Sequence, residues 1–166
     1  MEIAFDKLGA SVLALRPGYF MENFIQLAKD ISEKGTFTFP YDSEHDIPLI
    51  STDDIAEVAT RYLLDETWAG HWKLNLMGPE NITLVQAASR LSARLGKQVK
   101  YVQQSGEEVK AQLSSWGLSK TVQHELMDLF FALGDPNGAY ATPRTIEAST
   151  ATTFEQFLER KLLPLL

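Results

Sequence analysis

"VLALRPGYFMENF", residues 12–24, joins two kinds of pattern within one short stretch. Val12-Leu13-Ala14-Leu15 is an unbroken apolar run halted by Arg16-Pro17-Gly18. Such a run predicts a strand buried on both faces, as in a parallel sheet. From Tyr19 the period changes. Phe20, Phe24, Leu27, Ala28 and Ile31 fall on one face of a helix, and Lys34-Gly35 supplies a cation and a glycine to close it. The stretch is therefore a strand-to-helix turn. Ligands of open α/β sheets sit outside the carboxyl ends of strands, so this turn is placed to wall a pocket. A packed corner would also account for Pro17 and Gly18, and both readings stay open.

The pattern continues outward from the turn. Thr36–Phe39 and Ile47–Ile50 read as short strands, the second at a sheet edge because Pro48 cannot donate to a ladder. Ser51-x-x-Asp54 has the spacing of a capping box and opens a helix whose inner stripe is Ile55, Val58, Ala59, Tyr62 and Leu63. Trp72, Leu74 and Leu76 alternate with polar residues as a strand does. Thr83-x-x-Gln86 caps a helix with Leu84, Ala87, Ala88, Leu91 and Leu95 inward, and Gly96 stops it. Val99–Val102 is a further strand. Two helical patterns follow, one on Val109, Leu113 and Trp116, the other on Val122, Leu126, Leu129, Phe130 and Leu133. Asp135–Ala151 is the loosest stretch. Thr153-x-x-Gln156 caps a last helix that ends at Pro164. Strands alternate with helices, and helices dominate toward the C-terminus, which predicts an α/β fold.

Composition narrows the function. The 166 residues are 45% apolar and 22% charged, with a net charge of −7 and a pI near 4.9. That suits one globular domain spanning 1–166. No Lys/Arg stripe is present, which argues against nucleic acid and against an anionic membrane surface. There is no cysteine, so disulfides, thiol nucleophiles and thiolate metal sites are excluded. No run approaches the ~18 apolar residues of a membrane span, and the opening residues lack a signal peptide's apolar core. A cytoplasmic location is expected.

Motifs of chemistry are scarce. The ten glycines form no G-x-G-x-x-G and no P-loop, and there is no G-x-S-x-G elbow. His45, His71 and His124 have no ligand spacing, so no metal site is expected. Asp42–Asp46 could hold a cation, but reads more simply as a solvated loop. Asp53-Asp54 could be an acid–base pair, although helix capping explains both. Trp116, Phe130 and Phe131 could line an apolar pocket or pack in the core.

Taken in order, "LRPGYFMENF", "IPLISTDDIAEVATRYLLDE", "GHWKLNLMGPENITLVQAASRLSARLGKQVKYV" and "TTFEQFLERK" resemble the NmrA-like branch of the atypical short-chain dehydrogenase/reductases. The resemblance covers nearly the whole chain. It implies a Rossmann-like fold, an NAD(P) cofactor and hydride transfer to a small carbonyl or quinone; other members of that branch are cofactor-sensing regulators. By the same resemblance Pro17, Gly18, Tyr19 and Phe20 lie at the nicotinamide end of the cleft. Met21, Asn23 and Phe24 face the substrate, and Gln104–Leu133 belongs to a helical cover.

Two features depart from that pattern. The family's Gly-rich loop and several parallel strands precede this turn, whereas 14 residues precede Leu15 here, and no Tyr-x-x-x-Lys pair is present. The expectation is a partial Rossmann-like fold, with few parallel strands and a helix-rich C-terminal part, lacking the N-terminal nucleotide-binding half. Such a chain would be truncated, would not bind NAD(P) tightly and would not be catalytic alone. A regulatory or protein-interaction module and a small-molecule binding domain are the alternatives. An uncovered sheet edge near residues 1–15 would favour a homodimer.

Overall fold

A computed structural model describes residues 2–5, 7 and 9–166. After a single helical turn, α1 (Glu2–Phe5), the chain enters β1 (Val12–Pro17) and β2 (Tyr19–Phe20). A 3₁₀ segment, Met21–Leu27, leads into α2 (Ala28–Lys34), then β3 (Thr36–Phe39), β4 (Ile47–Ile50) and α3 (Thr52–Leu64). β5 (His71–Leu76), β6 (Asn81–Ile82), α4 (Leu84–Leu95) and β7 (Lys100–Gln103) follow. The C-terminal part is helical: α5 (Gly106–Ser115), α6 (Lys120–Gly134) and α7 (Phe154–Phe157), which runs on into π and 3₁₀ turns through Leu165. The architecture is α/β with short, mostly parallel strands, as the sequence predicts.

β1 pairs in parallel with β5, Val12 opposite His71 and Pro17 opposite Leu76. β3 pairs in parallel with β7, and β4 lies between a parallel β2 and an antiparallel β6. Two expectations need correction here. β4 is central, not an edge: its ladders to β2 and β6 are two residues each, so the missing Pro48 donor costs little. β1 is half-buried, not buried on both faces. Among the described residues it has a strand neighbour, β5, on one side only.

The helix after the turn also differs from its pattern. It begins as a 3₁₀ helix, with three residues per turn, so Met21 and Phe24 share the inner face and Phe20 is left 39% exposed. Phe24 then centres the core. Its ring meets Phe37, Phe39 and Phe154 at centroid distances of 5.4, 5.4 and 5.2 Å. Each such pair adds about 0.5–1.5 kcal/mol beyond area burial. The capping boxes at Thr83/Gln86 and Thr153/Gln156 form as the spacing predicts, and Ser105/Glu108 makes a third.

Ser51 is not part of such a box. Its hydroxyl accepts from Asp53 N–H, whereas Asp54 turns away. Asp54 is buried and accepts from the backbone N–H and hydroxyl of Thr152 at 3.0 and 2.5 Å. It therefore pins the C-terminal helix to α3. Glu22, from the opening stretch, completes the start of α3. It accepts from Thr52 N–H at 3.0 Å, Ser51 Oγ at 3.2 Å and Lys161 Nζ at 3.0 Å. The α3 stripe is only half-buried, and Leu63 is 81% exposed, so this helix has an uncovered apolar flank.

β4 is gripped by two glycines. A Cβ on Gly18 would lie 2.1 Å from the Pro48 carbonyl oxygen, and one on Gly78 would lie 2.2 Å from that of Leu49. Gly18 N–H donates to Leu76 O, and Gly78 N–H donates to Leu49 O, both at 2.8 Å. Gly18→Ala and Gly78→Ala should each destabilise the fold by about 3 kcal/mol, because backbone must move. Gly96→Ala should cost only about 1 kcal/mol. Its φ is 63°, but nothing lies within 4 Å of the added atom. Urea unfolding of the three variants checks this order.

Glu22 predicts an acid dependence. Burial pushes its pKa up, but the hydrogen bonds from Lys161 and Thr52 outweigh burial and hold it below the ordinary value of 4.5. A carboxyl depressed on folding stabilises the native state above its unfolded pKa and loses that effect as pH falls through its folded one. Glu22→Gln should therefore be less stable than the parent at neutral pH. The gap should close as pH falls below 4.5 and through the lowered folded pKa, measured by urea midpoints across pH.

Candidate functional site

The carboxyl end of β1 opens into a cleft of about 750 Å³. The turn supplies one wall through Pro17, Gly18, Tyr19 and Phe20, with Asn23, Gln26 and Leu27 beyond it. The end of β3 supplies Thr38, Phe39 and Pro40. The opposite wall is helical: α5 brings Val109, Gln112 and Leu113, with Trp116 at its end, and α6 brings Leu129, Phe130 and Leu133. Gln104 and Tyr140 complete the lining.

The cleft follows from how these elements fold. β1 leaves β5 at Pro17, and the Gly18 contact turns β2 onto β4, which exposes the Tyr19–Phe20 edge. α5 and α6 pair with each other, and α6 contains no fully buried side chain. Its apolar residues half-cover the core or face the cleft instead. That is why an amphipathic pattern on α6 leads to a wall and not to a core helix.

Among the described residues no charged side chain lines the cleft. Its polar groups are neutral: the carboxamides of Asn23, Gln26, Gln104 and Gln112, the Thr38 hydroxyl and two phenols. Burial raises the Tyr19 and Tyr140 phenols well above the ordinary tyrosine range, so both stay protonated. The nearby carboxylates are engaged elsewhere: Glu22 and Asp53 hold Lys161, and Asp54 holds Thr152. Such a site favours neutral, flat, partly polar ligands over ions.

The structure separates the residues singled out by sequence. Pro17, Gly18, Tyr19, Phe20 and Asn23 line the cleft together. Met21 and Phe24 do not: they are 1% and 0% exposed, inside the core. Asn23 alone of the three substrate-side residues reaches the space, because the 3₁₀ geometry turns Met21 and Phe24 inward together. Gly18 is bare to admit Pro48, not a ligand. Trp116 and Phe130 line the cleft, whereas Phe131, 67% exposed, does not. Among the described residues no group of His, Asp and Glu is arranged to hold a metal, and no helix is long and apolar enough to cross a membrane. Gln112 and Tyr140 escape sequence reasoning. An aromatic residue inside the polar segment Gly134–Pro143 was the available signal for Tyr140.

Comparison with known proteins agrees with this geometry. The chain is 31% identical over 148 residues to an NAD(P)H azoreductase of Xenophilus azovorans, covering 86% of this chain and 50% of the relative. It is 30% identical over 152 residues to the prestalk A differentiation protein A of Dictyostelium discoideum, covering 90% and 50%. The chain thus spans about half the length of the curated relatives it matches. Among solved structures, an NADPH-dependent quinone oxidoreductase of Escherichia coli, also solved with NADPH, superposes with a TM-score of 0.75. It is 25% identical, and the match covers 95% of this chain and 57% of that one. The NmrA-like family model matches residues 4–160, and the chain belongs to the NmrA-like family.

Proposed function

We propose that this chain is the substrate-side portion of an NAD(P)H-dependent reductase acting on small neutral carbonyl or quinone compounds. The observation that carries the reading is the cleft at the carboxyl end of β1, uncharged among the described residues, which the reading takes as the reacting end of the cofactor site. The similar E. coli enzyme and the azoreductase, both named for reduction by nicotinamide cofactors, support it. A nicotinamide, when bound, would supply the hydride. The chain's own part is to bind and orient: Phe20 and Pro17 offer one apolar wall, Trp116 and Phe130 belong to the opposite one, and the carboxamides direct the acceptor between them.

The residues present fit a nicotinamide ring but not the rest of a dinucleotide. The helices α3, α4, α5, α6 and α7 all start on a Ser or Thr side-chain cap, and none follows a G-x-G-x-x-G loop. A pyrophosphate needs the oriented N–H groups of such a loop. The reading therefore includes a partial fold, with the nucleotide-binding portion supplied outside these residues, and no catalysis by these residues alone.

The exposed flank agrees with this division. β1 has an open side among the described residues, and Leu63, Leu64 and Trp72 are 81%, 78% and 53% exposed. Exposed apolar side chains of this kind favour an interface. In the chain on its own, the simplest closed contact is a twofold homodimer through the edge near residues 1–15. Light scattering at ten micromolar is expected to give a dimer, and a stable monomer there would remove this part of the reading.

Calorimetry tests the site. The chain alone should bind NADPH no more tightly than about millimolar, and micromolar affinity, about −8 kcal/mol, would require a near-complete cofactor site and overturn the partial-fold reading. A naphthoquinone should bind the cleft, and Phe20→Ala or Asn23→Ala should weaken it by about fivefold, the loss of one aromatic or hydrogen-bonded contact. Unchanged affinity in both variants would place the ligand elsewhere.

A further inference from the structure

Two of the carboxamides that line the cleft are tied to each other. Gln104 lies between the end of β7 and the cap of α5, and its Nε2 donates to Gln112 Oε1 at 3.0 Å. The rest of Gln104 is held as well. Its backbone N–H donates to the Phe39 carbonyl at 2.9 Å, which fixes it to the end of β3. Directly after it, Ser105 and Glu108 close the capping box that starts α5. Gln112 is held through its helix, because Val109 and Leu113 beside it are buried and seat α5.

Such a pair has a definite inventory of hydrogen-bonding groups. A carboxamide carries two N–H donors and one carbonyl acceptor. The bond between the two side chains uses one donor of Gln104 and one lone pair of Gln112. Among the described residues the reciprocal bond, from Gln112 Nε2 to Gln104 Oε1, is not made. The Gln112 N–H groups and the Gln104 carbonyl therefore lie next to each other as a donor and an acceptor. Both side chains are already restricted, so a ligand that engages them orders less than it would on free side chains. Trp116 stands four residues beyond Gln112, on the same side of α5, and also lines the cleft. A flat ring can lie against that indole with its edge toward the amides.

We propose that the Gln104–Gln112 pair reads the edge of a flat neutral ligand that carries a carbonyl beside an N–H, the edge of a lactam or a cyclic imide. Gln112 Nε2 donates to the ligand carbonyl, and Gln104 Oε1 accepts from the ligand N–H. The bond between the two side chains keeps donor and acceptor in register. A quinone engages the Gln112 donor only, and a site that offers both groups favours the ligand that satisfies both. The proposal rests on the cleft reading above and narrows its carbonyl compounds to those with an adjacent N–H.

Equilibrium dialysis of the chain with isatin and with N-methylisatin tests it. The two probes differ only in the N–H beside the carbonyl. The parent should bind isatin about five- to tenfold more tightly, the worth of one neutral hydrogen bond. Gln104→Met keeps the side-chain length and removes the acceptor; it should lower isatin affinity by about that factor and leave N-methylisatin within about twofold. Gln104→Glu keeps an acceptor and should keep the preference for isatin. Gln112→Met should weaken both probes by about threefold, and Gln104→Met should have a smaller effect in that background, because the two amides act as a unit. A purely structural Gln104 would lower the thermal midpoint and move both probes by the same factor, and that result overturns the proposal. So does a parent chain that binds the two probes equally, or that binds neither while binding a naphthoquinone; each of these leaves the cleft reading intact. Binding of none of the three compounds would remove the cleft reading and the amide site with it.

Discussion

Two backbone carbonyls of β4, those of Pro48 and Leu49, decide how the chain can be put together. Each faces a glycine at a distance that no side chain could share. Gly18 lets β1 hand over to β2 while staying bonded to Leu76, and Gly78 lets the end of β5 bond to Leu49. Three chain segments therefore converge on four residues of strand. The turn after β1 is sharp because β4 occupies the space beside it. From that contact follow the exposed edge at Tyr19–Phe20, the inward rotation of Met21 and Phe24, and the start of α3 directly after Ile50.

The same convergence explains why acids near the site are structural. Glu22 leaves the turn and meets the first residues of α3 together with Lys161. Asp54, in the same first turn of α3, meets Thr152. Both draw the C-terminal helix under the turn, where Phe154 packs on Phe24. Carboxylates that look available for catalysis in the sequence are engaged in holding three distant segments together. The cleft is left with amides, phenols and rings. Its neutrality is thus a consequence of packing as much as of composition.

A chain matching about half of each relative's length still contains a closed aromatic core, because the Phe24 cluster draws on β3, the 3₁₀ segment and α7, all within these residues. Among the described residues, β1 has a strand neighbour on one side only, and the end of α3 exposes Leu63 and Leu64.

Local signals determined much of this fold. Thr83/Gln86 and Thr153/Gln156 caps, the glycine stops at Gly35 and Gly96, and the alternation of Thr36–Phe39 depend on neighbours within a few residues. The strand-to-helix turn and its place at a strand's carboxyl end were legible for the same reason, as were Phe20, Asn23, Trp116 and Phe130 as residues able to line a site. Features that depend on contacts across the chain were not. Asp54 bonds a residue 98 positions away, which turns an apparent capping box into a clamp. Pro48 sits in the centre of a sheet because β6 arrives from far along the chain. A 3₁₀ start, imposed by packing against the core, decides that Asn23 faces the cleft while Met21 and Phe24 do not. The loop after β3 and the end of α6 come together only in three dimensions, where His45 bonds the Leu133 carbonyl and the Tyr41 ring packs on Gly134, because the two segments have no common sequence pattern.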